Sequence, residues 1–339
     1  MRLDSANRSF LALTILTLLL GTYVLCGAVG NVLVPLLLAQ ISHESQLGLT
    51  DSVPSLLPVL LFTLPIAIGL ALGAHSLARQ IIASNRLAQR VRALALPPSH
   101  ELAGITVDVG LNGRVALVDS PEWFSFAYGV LTPRVVVSRG LLEGVSAVEL
   151  RAVLEHERYH VCNLDPLKAI SAQALSDTFF FLPALDSLRL RYVAGRELAA
   201  DRRAIRACGH RPLAGALLKV VRGPEWSELE VAAAIGGPNL LDARVAQLES
   251  GKQPKLAAPS FKRIAVSLAG VVLFAATFLA AVLSFGGLTA VHEVTGTGLS
   301  SADLLGALTC AIPFAVVGLL SYLLLAQRAN RPLSKSAAC

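Results

Sequence analysis

The sequence predicts a polytopic α-helical membrane protein with four transmembrane helices and an α+β domain inserted between the second and the third. Three observations carry this. The chain is 54% hydrophobic and only 15% charged, whereas soluble domains carry roughly 25% charged residues. Four stretches lack Asp, Glu, Lys and Arg over residues 9–42, 52–78, 264–291 and 304–327, each long enough for a bilayer that takes about 20 residues to cross. Between the two pairs, residues 84–262 have the length of one domain. The expected organisation is residues 1–83 with spans at about 9–42 and 52–82, the domain at 84–262, and residues 263–339 with spans at about 264–291 and 304–327 and a short tail.

The first span is too long for the core of a signal peptide and is read as retained. Orientation follows the placement of Arg and Lys. The loops 43–51 and 292–303 contain neither. Arg79, Arg86, Arg90 and Arg92 follow the second span, Lys252, Lys255, Lys262 and Arg263 precede the third, and Arg328, Arg331 and Lys335 follow the fourth. Both termini and the domain are therefore expected in the cytoplasm, with the chain multi-pass in the cell membrane. The net charge of +6 comes with no basic run interleaved with aromatics, so direct nucleic-acid binding is not expected. The five cysteines have no paired spacing and imply neither a disulfide framework nor a cysteine zinc site.

Within the domain, Ile105–Val109 and Val115–Val118 flank Asn112-Gly113 and read as a β-hairpin. Arg134–Ser138 reads as a third, β-branched strand. Ser146 to Glu149 is a capping-box pattern, opening a helix that runs to about Cys162. Asn163 is its terminator, and Asp165-Pro166 reads as the N-cap and first residue of the next helix. Residues 169–190 hold Phe179-Phe180-Phe181-Leu182-Pro183, but Asp177 and Asp186 interrupt the run. It is too short to span and is expected to be interfacial or re-entrant.

The capped helix contains His156-Glu157-Arg158-Tyr159-His160. Histidines at i and i+4 share one helix face and can share a zinc ion, and Glu157 is placed to take a proton from water there. Catalytic zinc usually has three protein ligands, so a third is needed. Glu197 and Asp201 sit at i and i+4. Glu197 could bind metal, and Asp201 could accept the N–H of a ligating histidine. The same residues could equally belong to a solvated charged face with Arg196, Arg202 and Arg203. A shared ion also requires His156, His160 and Glu197 on one side of the membrane, so residues 169–190 must return to the side they leave.

The run Ser125–Leu142, followed by Glu149–His160 and the later Glu197 and Asp201, resembles two groups of membrane gluzincins: the BlaR/MecR-type antirepressor peptidases and the HtpX/Ste24-type endopeptidases. The likeness runs from about Val118 to Cys208. It implies a cytoplasmic, zincin-like metallopeptidase domain holding one zinc ion, with Glu197 as the third ligand. Asn163 and Asp165 match an HExxHxxNxD extension of HtpX-like members, although ending one helix and starting the next would explain them. The Phe-rich stretch resembles the apolar segment before the third ligand in BlaR-like proteins. Only a short tail follows the fourth span, so no extracellular penicillin-binding domain and no β-lactam sensing are expected.

The expected activity is peptide-bond hydrolysis in protein substrates, either BlaR-like cleavage of a cytoplasmic DNA-binding repressor or HtpX-like membrane-protein quality control. Glu157 is the expected general base, and the strand around Val135–Ser138 is a candidate edge for an extended substrate. Tyr192, Arg203 and His210 are candidate oxyanion stabilisers. The alternative is a catalytically inactive signalling or scaffold protein that keeps the fold; it predicts a broken HExxH, and this one is intact. A transporter or channel would place ionisable residues in its spans, which are essentially free of them. His43, His75, His100, His292, Trp123 and Trp226 carry no expected chemistry. Arg outnumbers Lys by 23 to 6, which suggests a bacterial genome rich in GC.

Overall fold

The computed structural model of the chain describes residues 5–28, 56–222, 238–252, 254, 256 and 259–284. Ten helices and four strands are formed among them. The remainder of the first expected span, the loop 43–51, the end of the third span, the fourth span and the tail lie outside the described residues, as do Trp226 and His292.

Among the described residues, two helices are long and apolar enough to cross a membrane, within Leu60–Ala93 and Phe261–Phe278. They belong to α2 (Leu56–Ala93) and to the last described helix (Phe261–Ser284). A shorter apolar stretch, Ala6–Thr22, lies within α1 (Ser5–Ala28). Leu57, Leu60, Leu61, Leu64 and Ile68 of α2 are exposed. A stripe of this kind is a liability in water and is ordinary surface in lipid.

α2 continues past its apolar half through Arg79 to Arg92 and delivers the chain to a sheet. β1 (Ala95–Leu96) is followed by α3 (His100–Asp108), β2 (Val115–Val118), β3 (Ser125–Tyr128) and β4 (Arg134–Ser138). The sheet order is β1-β2-β4-β3, with β2 and β4 parallel and β3 antiparallel to β4. Val135 and Val137 pack with Leu150, Leu154 and Val161 on one face. Val136 packs with Val91, Phe124 and Phe126 on the other. Burial on both faces is why β4 reads as an unbroken valine run.

After β4 come α4 (Arg139–Gly144), α5 (Ala147–Cys162), α6 (Asp165–Thr178), α7 (Pro183–Cys208), α8 (His210–Arg222), α9 (Pro238–Ser250) and α10 (Phe261–Ser284). The capping box opens α5 with both of its bonds, Ser146 Oγ accepting from the Glu149 N–H and Glu149 accepting from the Ser146 N–H. α6 and α7 are joined by the short turn through Phe179 to Leu182, so the Phe-rich segment is the bend of a helical hairpin. Phe179, Leu182, Leu185 and Leu188 pack with Leu13, Leu16 and Leu20 of α1 and Val271 of α10. Gly69 and Gly73 let α2 lie directly against the end of α6, where an added methyl would overlap Thr178. Small residues four apart serve this close approach.

Four expectations change. Ile105–Asp108 is helix and Val109 its C-cap, not the first strand of a hairpin. Ser99 caps α3 by accepting from the Leu102 N–H at 3.2 Å, and Leu102, Thr106 and Val109 are buried at helical spacing. Gly110 and Gly113, both at positive φ, turn the chain from α3 into β2, which pairs in parallel with β4. Asp165 is the first residue of α6 rather than its cap, because Leu164 takes the left-handed conformation at φ 54. β4 is interior to the sheet, so Val135–Ser138 offers no free edge. Cys162 is disulfide-bonded, a pairing that cysteine spacing does not announce.

A matched pair of substitutions tests the packing. Gly69→Ala should lower the melting temperature of the detergent-purified protein, since a methyl meets the Thr178 carbonyl and overpacking costs about 1–3 kcal/mol. Gly104→Ala, with no atom within 4 Å of the new methyl, should raise it by the helix-propensity gain of up to about 1 kcal/mol.

Candidate active site

α5 and α7 pack side by side, and the facing residues are polar. His156 and His160 point from α5 to Glu197 and Asp201 on α7. His156 Nε2 lies 3.2 Å from His160 Nε2 and 3.4 Å from Glu197 Oε2. His160 Nε2 lies 3.7 Å from Glu197 Oε2. Tetrahedral zinc with bonds of 2.0–2.1 Å separates its ligand atoms by about 3.3–3.4 Å. The triangle therefore has the dimensions of three corners of such a site. Among the described residues, this group is the only cluster of three donors able to hold a metal.

Both imidazoles have a carboxylate behind them, hydrogen-bonded at His160 and in close contact at His156. His156 Nδ1 is 2.8 Å from Asp201 Oδ1. His160 Nδ1 is 2.7 Å from Asp165 Oδ2. A carboxylate on Nδ1 fixes the tautomer that leaves the Nε2 lone pair free for a metal. The left-handed turn at Leu164 brings Asp165 back beneath His160; a leucine there costs roughly 1–2 kcal/mol, so the local backbone preference is overridden at this site. Tyr192 Oη donates to the other Asp165 oxygen at 3.0 Å. Arg244 of α9 grips Asp201 with two bonds, Nε to Oδ2 at 2.7 Å and Nη2 to Oδ1 at 2.8 Å. Arg196 Nε donates to Glu197 Oε1 at 3.2 Å.

Glu157 is buried, and its Oε2 has no hydrogen-bond partner among the described residues. An orphaned carboxylate oxygen beside three convergent donors fits a site that takes a metal and a water. Burial raises the Glu157 carboxyl above its ordinary range, against the pull of His156 and His160. Burial alone would raise Glu197, but the two histidines and Arg196 hold it well below that range. Burial would also raise Asp201, yet Arg244 and His156 keep it at about 2. Burial would lower both imidazoles; instead Asp201 and Glu197 raise His156, and Glu197 and Asp165 lift His160 to about 10.

His156, Glu157, His160, Glu197 and Asp201 come together. The three oxyanion candidates do not join them at the donor triangle. Tyr192 is fully buried and committed to Asp165. Arg203 Nε pairs with Glu155 at 3.1 Å. His210 is exposed at the start of α8. Sequence reasoning missed Arg244 and the second role of Asp165. Asp165 carried a signal in the HExxHxxNxD match; Arg244 carried none.

The family model for the BlaR1 peptidase M56 matches residues 45–248, more than half of the chain. The chain belongs to the BlaR1 peptidase M56 family. The chain is similar to membrane metallopeptidases of the BlaR and HtpX type. Over 84 residues it is 40% identical to the proteins named Protease HtpX from Shewanella sp. (strain W3-18-1) and Shewanella putrefaciens (strain CN-32 / ATCC BAA-453). The match covers 24% of the M56 chain and 27% of each relative, so it spans about a quarter of their length. No solved structure matches.

Metal loading should release protons. Ligation needs neutral imidazoles, and in the metal-free protein the His160 imidazole, lifted to about 10 by Glu197 and Asp165 against the pull of burial, holds a proton at pH 7.5, while Asp201 and Glu197 raise His156 as well. Because these pKa values are raised, metal competes with protons below them, and affinity should weaken as pH falls. Titration calorimetry in buffers of different ionisation enthalpy should report at least about one proton released per ion. A buffer-independent enthalpy would contradict protonated imidazoles in the metal-free protein.

Proposed function

We propose that the chain is a zinc metalloendopeptidase that hydrolyses peptide bonds of protein substrates at the cytoplasmic face of the cell membrane. One observation carries the reading: the donor triangle of 3.2–3.7 Å formed by His156, His160 and Glu197, beside the unpartnered Glu157 carboxylate. When bound, zinc supplies a Lewis acid and a water of near-neutral pKa. Glu157 takes the proton of the attacking water and delivers it to the departing amine nitrogen. Asp201 and Asp165 keep the two imidazoles turned so that their Nε2 atoms stay convergent.

An extended substrate would pair with β3, the longer of the two edge strands of the sheet. Ser138 donates its N–H to the Phe124 carbonyl at 3.1 Å, and the register continues as Ser125↔Val137, Phe126↔Val136, Ala127↔Val135. Antiparallel partners bond at alternate residues. Phe126 and Tyr128 therefore turn their backbone groups toward β4, and Ser125 and Ala127 turn theirs outward. β3 packs against α5, so a strand added there would run beside the donor triangle.

The placement follows the basic clusters: four spans, both termini and the domain of residues 84–262 in the cytoplasm. The α6–α7 turn then enters the lipid. Gly270 of α10 lies against Phe181, and Arg263 hydrogen-bonds Asp186 and Ser187. Seven helical residues separate those two contacts, which sets the Phe-rich turn about 10 Å deeper than the guanidinium. The biological role favoured is regulatory, the cleavage of a cytoplasmic protein such as a DNA-binding repressor. The BlaR1 peptidase match over residues 45–248 supports it, against an HtpX likeness over 84 residues. HtpX-like cleavage of membrane proteins is the competing role.

Two variants test the chemistry. Glu157→Gln should abolish cleavage of an unfolded reporter protein while the metal-free melting temperature stays level or rises. The pKa of Glu157 is raised by burial, so its charge opposes folding at neutral pH and an amide removes that penalty. Retained cleavage would overturn the mechanism. Ala127→Pro removes one outward N–H from β3; kcat/KM should fall through KM with zinc content unchanged. An unchanged KM would exclude pairing at this edge.

A further inference from the structure

The Glu197/Asp201 pair explains how a carboxylate reaches His156, but not what holds that carboxylate. Asp201 has no solvent exposure, and a lone buried carboxylate would turn toward whichever donor served it best. The group that meets it lies outside every motif of the domain. Arg244 is 43 residues further along the chain and presents two N–H groups to the two Asp201 oxygens at 2.7 and 2.8 Å. Such a fork fixes the plane of a carboxylate as well as its position. Asp201 Oδ1 is shared: it receives Arg244 Nη2 at 2.8 Å and faces His156 Nδ1 at 2.8 Å.

α9 is fastened beside this contact by a second, separate bond. Gln247 Nε2 donates to the Leu198 carbonyl of α7 at 2.9 Å, and Gln247 is 1% exposed. The support of the two imidazoles is therefore asymmetric. His160 is backed by Asp165 and Tyr192, both on the α6–α7 hairpin. His156 is backed by Asp201 and then by a helix that is followed, after a short connection, by α10. α10 itself grips the start of α7, where Ala184 N–H donates to Ser267 Oγ at 2.9 Å. α9 is thus the one supporting element, among those described, that lies outside the α5–α6–α7 run.

We propose that Arg244 is a positioning residue of the metal centre, clamping Asp201 so that its oxygen orients His156 toward the ion. α9 is then a working part of the metal site, and lifting it weakens the grip on the metal without unpacking α5 from α7. This inference rests on the zinc reading proposed above. Lysine cannot replace the fork, because an ammonium offers a point charge rather than two coplanar donors.

The test is zinc affinity of the full-length, detergent-purified protein, measured by competition with a chromophoric chelator. The variants are Arg244→Gln, Arg244→Lys, Gln247→Ala, Asp201→Asn and the double Asp201→Asn/Arg244→Gln, each with a metal-free melting curve. Arg244→Gln should weaken zinc binding about 10–100-fold, the usual loss when an outer partner of a ligand is removed. Arg244→Lys should recover only part. Gln247→Ala removes one fastening of α9 but leaves the Arg244 fork on Asp201, and should lose clearly less affinity than Arg244→Gln. The double variant should lose no more than Asp201→Asn alone, because Arg244 acts through Asp201. If Arg244→Gln fails to fold, the double variant, which removes both buried charges, carries the comparison with Asp201→Asn. Wild-type affinity in Arg244→Gln, additive losses in the double, or an equal loss in Gln247→Ala would overturn the inference and leave the zinc reading intact. Wild-type protein that takes no zinc would overturn both.

Discussion

Two imidazoles on one helix must each be met from behind by a carboxylate while their outer nitrogens converge. Asp201 meets His156 and Asp165 meets His160, both within 2.8 Å. This constraint dictates much else. α7 must lie along α5 so that residues four apart on one helix face residues four apart on the other. The chain must also double back between them, because α5 and α7 have to present their polar faces to each other. The α6–α7 hairpin answers that need, and its apolar bend is wedged among α1, α2 and α10. The glycines of α2 permit the closest of those contacts. The candidate membrane helices and the donor triangle are therefore built on the same packing.

Charge around the site is arranged in layers of alternating sign. The histidines are surrounded by Glu197, Asp201 and Asp165, and these in turn by Arg196, Arg244 and the Tyr192 hydroxyl. Burying carboxylates is costly unless each is paired and hydrogen-bonded. That is why Asp201 sits at about 2, and why Arg244 stays charged although burial would lower its pKa, with Asp201 raising it instead. Glu157 stands apart. It is buried with an oxygen left unpartnered, the condition of a group whose partner arrives during the reaction.

What the residues disclosed in advance was local. The capping box, the HExxH spacing and the β-branched run of β4 each depend on a few neighbouring positions, and the structure forms all three. The apolar stretches disclosed a membrane protein because hydropathy is additive along the chain. The failures involve choices made at long range. Ile105, Val107 and Val109 alternate as a strand would, yet Leu102, Ile105, Thr106 and Val109 also fit one helical face, and packing under α5 selects that face. Whether β4 is an edge depends on strand order, which no local pattern encodes. Arg244 sits in a helix of ordinary composition; nothing about its neighbours distinguishes it from a solvated arginine. Asp165 is intermediate, since its motif was visible but its carboxylate reaches His160 only through the unexpected left-handed turn at Leu164.

X-ray absorption at the zinc edge, on the full-length protein reconstituted with one equivalent of zinc, tests the ligand set most directly. The expected result is nitrogen and oxygen neighbours at about 2.0–2.1 Å with the multiple scattering of two imidazoles, and one imidazole fewer in His160→Ala. Sulfur at about 2.3 Å, a spectrum unchanged in His160→Ala, or failure to retain zinc would contradict a centre built from His156, His160 and Glu197.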